Sequence, residues 1–163
     1  MHAKDVILNS LGSSDMITKA YLSDLSDADL MVRPVAGMNH LAWQLGHLIS
    51  VEHKVVEEIA PGSCPALPEG FDAKHTKETT TFDDASKFYT KAEYLAAWDA
   101  QHAATKAVVA KLTDAELDAA APESFRRMVP TNGLAINFLA SHSLMHVGQY
   151  VAIRRSLGKP IAI

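Results

Sequence analysis

The chain has 163 residues, 48% hydrophobic and 21% charged, with a formal net charge of -4, the size and composition of one ordinary globular domain spanning residues 1–163. That balance excludes the clustered Lys and Arg on which nonspecific nucleic-acid binding draws, and no apolar run approaches the roughly 18 residues of a membrane span. The only cysteine, Cys64, excludes an intrachain disulfide and, with an amphipathic rather than apolar opening segment, sets the expectation of a cytoplasmic location.

The first predicted helix runs from about Ala3 to Leu22, with Val6, Ile7, Met16, Ile17 and Ala20 as its apolar positions. The second begins near Asn39, read as its N-cap, and continues to about Ala60, where Pro61-Gly62 stops it. Its apolar stripe is Leu41, Leu45, Leu48, Val55 and Ile59, at helical spacing. Residues 61–81 carry three prolines, two glycines and four threonines, a long crossover loop. The third helix covers about Lys91 to Lys111 and is rich in alanine, a strong helix former. The fourth runs from about Gly133 to Leu157; Arg154 and Arg155 complement its C-terminal dipole, and Gly158 then Pro160 end it. Nothing alternates with period two, so the expected fold is all-α, a four-helix bundle with one long crossover loop.

A short internal repeat runs through this plan. Leu25-Ser26-Asp27-Ala28-Asp29-Leu30 parallels Leu112-Thr113-Asp114-Ala115-Glu116-Leu117, each a hydroxyl residue with a carboxylate three positions later, the capping-box pattern. Trp43-Gln44-Leu45-Gly46-His47 parallels Phe138-Leu139-Ala140-Ser141-His142: aromatic, two spacers, small residue, histidine. His47 and His142 thus hold equivalent places in two helix-turn-helix halves.

His142 and His146 lie one helical turn apart, on one face of the fourth helix. Imidazole is a common ligand of zinc, nickel and similar metals. The repeat nominates His47 as the third ligand, at the edge of its helix's buried face, about 100° from the stripe's centre. The alternative is a set of core histidines satisfied by carbonyls or water, because a buried polar group left unpaired costs about 1–3 kcal/mol. The other histidines are less persuasive. His40 lies two turns before His47, His53 points away from it, and His2, His75 and His102 are expected to be exposed.

Met38-Asn39-His40-Leu41-Ala42-Trp43-Gln44-Leu45-Gly46-His47-Leu48, together with His142-x-x-x-His146-Val147-Gly148-Gln149 and Arg154-Arg155-Ser156-Leu157-Gly158-Lys159-Pro160, resembles the DinB-like superfamily. That group includes YfiT-type metal-dependent hydrolases and thiol-dependent S-transferases. Leu25–Leu30 and Arg33-Pro34 resemble it as well. The resemblance implies that His47, His142 and His146 bind a divalent metal, nickel or zinc, near one end of a four-helix bundle, often in a homodimer. It implies either hydrolysis or transfer using a low-molecular-weight thiol such as bacillithiol, mycothiol or glutathione. The alternative is a non-catalytic stress protein that binds a metal or small ligand. The historical link of the name to DNA damage has no counterpart in a basic surface here.

Three neutral ligands leave a metal its full double charge and open positions, which serve either to lower the pKa of bound water toward about 7 or to hold a thiol as thiolate. No general base stands out. Glu52 lies about 40° from the stripe's centre, a place for either an acid/base residue or a buried pair with a basic side chain. Gln149 is placed to bond either bound water, a ligand histidine or a neighbouring helix. Arg154, Arg155 and Lys159 are candidate contacts for an anionic cofactor, or partners of the helix dipole. Cys64 has no neighbouring base and reads as an incidental thiol.

Overall fold

Helical periodicity produces α1 (Ala3–Leu22), α2 (Leu41–Ile59), α3 (Lys91–Lys111), the single turn α4 (Asp114–Asp118) and α5 (Asn132–Ser156) in the computed structural model, which describes residues 2–163. No strand forms among the described residues, only an isolated bridge between Ala120 and Thr131. Both expected capping patterns are built. Asp29 and Ser26 exchange bonds of 2.8 and 3.2 Å before a 3-10 turn at Asp29–Met31. Thr113 and Glu116 do the same at 2.7 and 3.2 Å to open α4.

The start of α2 differs from expectation. His40, not Asn39, is the N-cap: its Nδ1 accepts the Trp43 N–H at 3.1 Å, and its Nε2–H donates to the Phe82 carbonyl at 2.9 Å. An imidazole with one bare nitrogen thus does what a carboxylate or hydroxyl does at most N-termini.

Helix order around the bundle follows from which helices touch: α1 packs on α5 and α3, and α2 packs on α5 and α3. Two apolar clusters fill the interior. One holds Leu22 of α1, Leu41 and Leu45 of α2, Tyr94 and Trp98 of α3, and Tyr150 and Ile153 of α5. The other holds Ile7 and Leu11, Val55 and Val56, Val108 and Val109, and Ile136 and Leu139. Each long helix therefore runs from one cluster to the other. α1 and α5 run one way, and α2 and α3 run the other. Parallel neighbours need a connection that travels back along the bundle, which is why α2 and α3 are joined by the long segment 60–90.

That crossover is fastened to α2 and to the segment leading into it. Trp43 Nε1–H donates to the Thr76 carbonyl and the Thr79 hydroxyl, both at 3.1 Å. Arg33 donates to the Thr80 and Phe82 carbonyls at 2.7 and 3.2 Å. His75 is buried, contrary to the expectation of exposure: its Nδ1–H donates to the Phe71 carbonyl at 2.8 Å, which leaves Nε2 to accept the Tyr94 O–H at 2.8 Å. Its ring lies against Gly46 so closely that a Cβ there would overlap it. Gly46 is therefore required by the loop it carries.

Between the two apolar clusters lies a level of buried polar residues: Ser14 and Thr18, Glu52, Gln101, His102 and Thr105, and Ser143 and His146. His102, also expected at the surface, is only 3% exposed.

Candidate metal centre

α2 and α5 pack against each other, and their contact brings His47, His142 and His146 together. One ring nitrogen from each lies within 4.8 Å of the others. The ring centroids are 5.2 Å apart for His47–His142, 5.5 Å for His47–His146 and 4.9 Å for His142–His146. The paired aromatics of the repeat back two of them. Trp43 stacks on His47 at 4.9 Å and 10°, and Phe138 stacks on His142 at 5.6 Å and 15°. An aromatic one turn earlier on the same helix face reaches the imidazole directly, so the repeated spacing is a repeated ring support.

Burial keeps all three rings neutral. It lowers the His47 pKa below its usual value. His142 falls to about 4 through burial and then the neighbouring His47. His146 falls to about 3 through burial, then His142 and His47. A neutral imidazole offers a lone pair to a metal, whereas a charged one has none. The donor set therefore suits a borderline divalent ion: three uncharged nitrogens from two helices, with no carboxylate or thiol in the group.

Other candidates fall elsewhere. Glu52 is 3% exposed and faces α3. Its Oε1 accepts the Thr105 hydroxyl at 2.6 Å, and its Oε2 lies 2.8 Å from His102 Nδ1. It belongs to a buried polar contact between α2 and α3, not to the histidine group. Gln149 is exposed, and the hydrogen bond to one of the three histidines is made instead by Gln44, whose Oε1 lies 2.8 Å from His146 Nδ1. Gln44 was not among the residues singled out from the sequence; a glutamine at helical spacing from Leu41 and Leu48 of the apolar stripe was the available signal. Arg154 is 2% exposed and clamps the ends of α1 and α5, donating to the Tyr21 carbonyl, the Asp24 carboxylate and the Pro160 carbonyl. Lys159 donates to the Asp24 carbonyl at 2.8 Å, so neither cation is held at the histidine group. Cys64 accepts from Gln101 Nε2 at 3.3 Å, and burial pushes its thiol pKa up, the opposite of an activated nucleophile.

A cleft of about 470 Å³ opens beside His47 between α2 and the crossover. Ser50, His53 and Lys54 line one side, Asp72, His75 and Thr76 the other. His53, expected to point away from His47, shares this cleft with it.

A sequence profile of the DinB superfamily matches residues 13–150. The chain belongs to the DinB superfamily. A crystal structure of a conserved protein from Enterococcus faecalis has the same fold, with a TM-score of 0.71 at 16% identity over 98% of this chain and 99% of that one. No curated protein matches the sequence. The DinB match includes α2 and the two histidines of α5, so all three imidazoles fall inside the family region. Among the described residues, no helix is long and apolar enough to cross a membrane.

Proposed function

We propose that His47, His142 and His146 together hold one divalent metal ion, nickel or zinc, and that this DinB protein is a metal-dependent enzyme acting on a small molecule in the cleft beside His47. The observation that carries the reading is the convergence of three neutral imidazoles at one point, with no fourth His, Cys, Asp or Glu joining them among the described residues. When bound, such an ion activates water at neutral pH or stabilises a thiolate. Both uses fit the residues around it: hydrolysis, and transfer with a low-molecular-weight thiol. Glu52 is committed to Thr105 and His102, Glu57 accepts from the Gly62 and Cys64 backbone N–H groups, and Glu58 accepts from the Ser124 hydroxyl, which leaves Asp72 on the cleft wall as the candidate general base for hydrolysis. The cleft walls orient the substrate, and Trp43 and Phe138 hold two of the rings.

We further place the protein in the cytoplasm, supported by its lone unactivated thiol, and as a homodimer. From Asn132 to Ile153, α5 carries no Asp, Glu, Lys or Arg. Even so, it exposes Leu134, Leu144 and Met145 at 48%, 39% and 58%, a surface suited to a second copy.

Metal analysis after zinc or nickel loading tests the centre: one ion per chain in the wild type, and none in His142→Ala. A His142→Ala protein that keeps stoichiometric metal would sink the assignment. Turnover with thiol acceptors against turnover with simple esters and amides then separates transfer from hydrolysis, and loaded protein inert to both is a binding module. Light scattering that gives a monomer removes the dimer.

A further inference from the structure

Gln44 has no exposed surface and sits in the first turn of α2. Its amide can be read atom by atom. The Asn39 carbonyl, 2.6 Å away, only accepts, so the Gln44 side-chain nitrogen must face it. That turns the amide oxygen toward His146 Nδ1 at 2.8 Å. An amide oxygen also only accepts, so Nδ1 must carry the proton. In the neutral ring, Nε2 is then the bare nitrogen. Among the described residues, neither His47 nor His142 has a hydrogen bond to a ring nitrogen; their rings are held by stacking.

We propose that Gln44 is the positioning residue of the centre, fixing the tautomer and ring plane of His146 so that its Nε2 lone pair is already presented to the ion. The inference rests on the metal reading above. Partners of ligand histidines are commonly carboxylates or backbone carbonyls. A side-chain amide gives the same orientation without adding negative charge, and the backbone carbonyl just before the α2 N-cap locks it. The consequence is asymmetry: His146 is the preset ligand, and His47 and His142 adjust to it.

The experiment uses the full chain with Zn(II) as probe. Nitrogen NMR of the metal-free wild type reads the tautomers directly; the expected result is an Nδ1–H form for His146, with no such fixed form for the other two. In Gln44→Met, which keeps volume but loses the strong acceptor, the expected result is a mixed His146 tautomer and about 10- to 100-fold weaker Zn(II) binding. Gln44→Glu keeps an acceptor for the His146 Nδ1–H but loses the donor to the Asn39 carbonyl, so its expected affinity lies between those of Gln44→Met and the wild type. Wild-type His146 in the Nε2–H form overturns the proposal, as does a folded Gln44→Met with wild-type affinity. Should Gln44→Met not fold, the wild-type tautomer decides. A wild type that binds neither Zn(II) nor Ni(II) removes the metal reading, while the tautomer still reports on Gln44.

Discussion

Gly46→Ala turns the contact between α2 and the crossover into a measurement. Inside a helix, alanine is favoured over glycine by about 1 kcal/mol, so with open space the substitution would stabilise. The added Cβ instead overlaps the His75 imidazole, a ring only 3% exposed and held at both nitrogens. Displacing it loses two hydrogen bonds at about 1 kcal/mol each and adds repacking strain of about 1–3 kcal/mol. Setting the helix gain against these gives a net loss of about 2–4 kcal/mol. For a chain of this length that lowers Tm by roughly 5–15 °C. Urea unfolding of the single variants and of Gly46→Ala with His75→Ala closes a double-mutant cycle. Once the ring is gone, Gly46→Ala is expected to be neutral or stabilising. A single Gly46→Ala protein at least as stable as the wild type refutes the reasoning, because the three atoms nearest the added Cβ all belong to the His75 ring.

The remaining predictions use the same buried groups. Burial lowers the pKa of His40 and His47, and takes His75 and His142 to about 4 and His146 to about 3. Between pH 6.5 and about 4 the unfolded chain therefore binds protons that the folded chain does not, so stability rises with pH across that window. For His75 alone the span is worth about 3 kcal/mol. Urea midpoints of metal-free protein should climb from pH 4.5 to 7, and a flat profile contradicts the burial. Glu52→Gln should cost about 1–3 kcal/mol in stability yet leave Zn(II) affinity within about threefold, and a collapse of affinity would return Glu52 to the centre. Arg154→Met removes charged hydrogen bonds worth about 1.5–3 kcal/mol each before compensation. Its expected effect is a lower Tm with unchanged metal stoichiometry, checked by calorimetry and metal analysis.

The bundle was readable because its information is local. α1 and α3 start and end where the periodicity and end signals put them, and Gly62 and Gly158 adopt φ of +78° and +69° just past α2 and α5. The histidine trio was readable for a different reason: the parallel between Trp43–His47 and Phe138–His142 sets the two histidines at matching points of two short motifs, so one motif nominates the other. What escaped depends on distant partners. His75 sits between Lys74 and Thr76 in a polar stretch, and only Gly46, far back on α2, makes room for its ring. His102 sits on a helix with weak amphipathic character, and its burial depends on Glu52 across the α2–α3 seam. Gln44 is bound to a residue 102 positions away, a pairing no local pattern contains. His40 replaced Asn39 as the cap because the Phe82 carbonyl of the crossover holds its second nitrogen.

The buried polar level explains why the centre lies where it does. Its hydroxyls are cheap to bury, since Ser14, Thr18 and Ser143 each donate back to a carbonyl of their own helix at 3.0, 2.7 and 3.0 Å, and Thr105 donates to Glu52 at 2.6 Å. In the α2–α3 half Glu52 joins Thr105 and His102, while Gln101 Oε1 and His102 Nε2 are buried without a partner among the described residues. The α2–α5 half differs in kind. There, three neutral imidazoles converge and only His146 has a ring nitrogen bonded by the protein, to Gln44. Leucines at those positions would pack the seam at no polar cost. The free ring nitrogens of the trio are not among the buried atoms without a partner, so they stay open to an incoming ligand, and a ligand that binds only the folded state would stabilise it by about 4 kcal/mol at a thousandfold excess over its Kd. A divalent metal held by the three lone pairs would therefore favour the folded bundle.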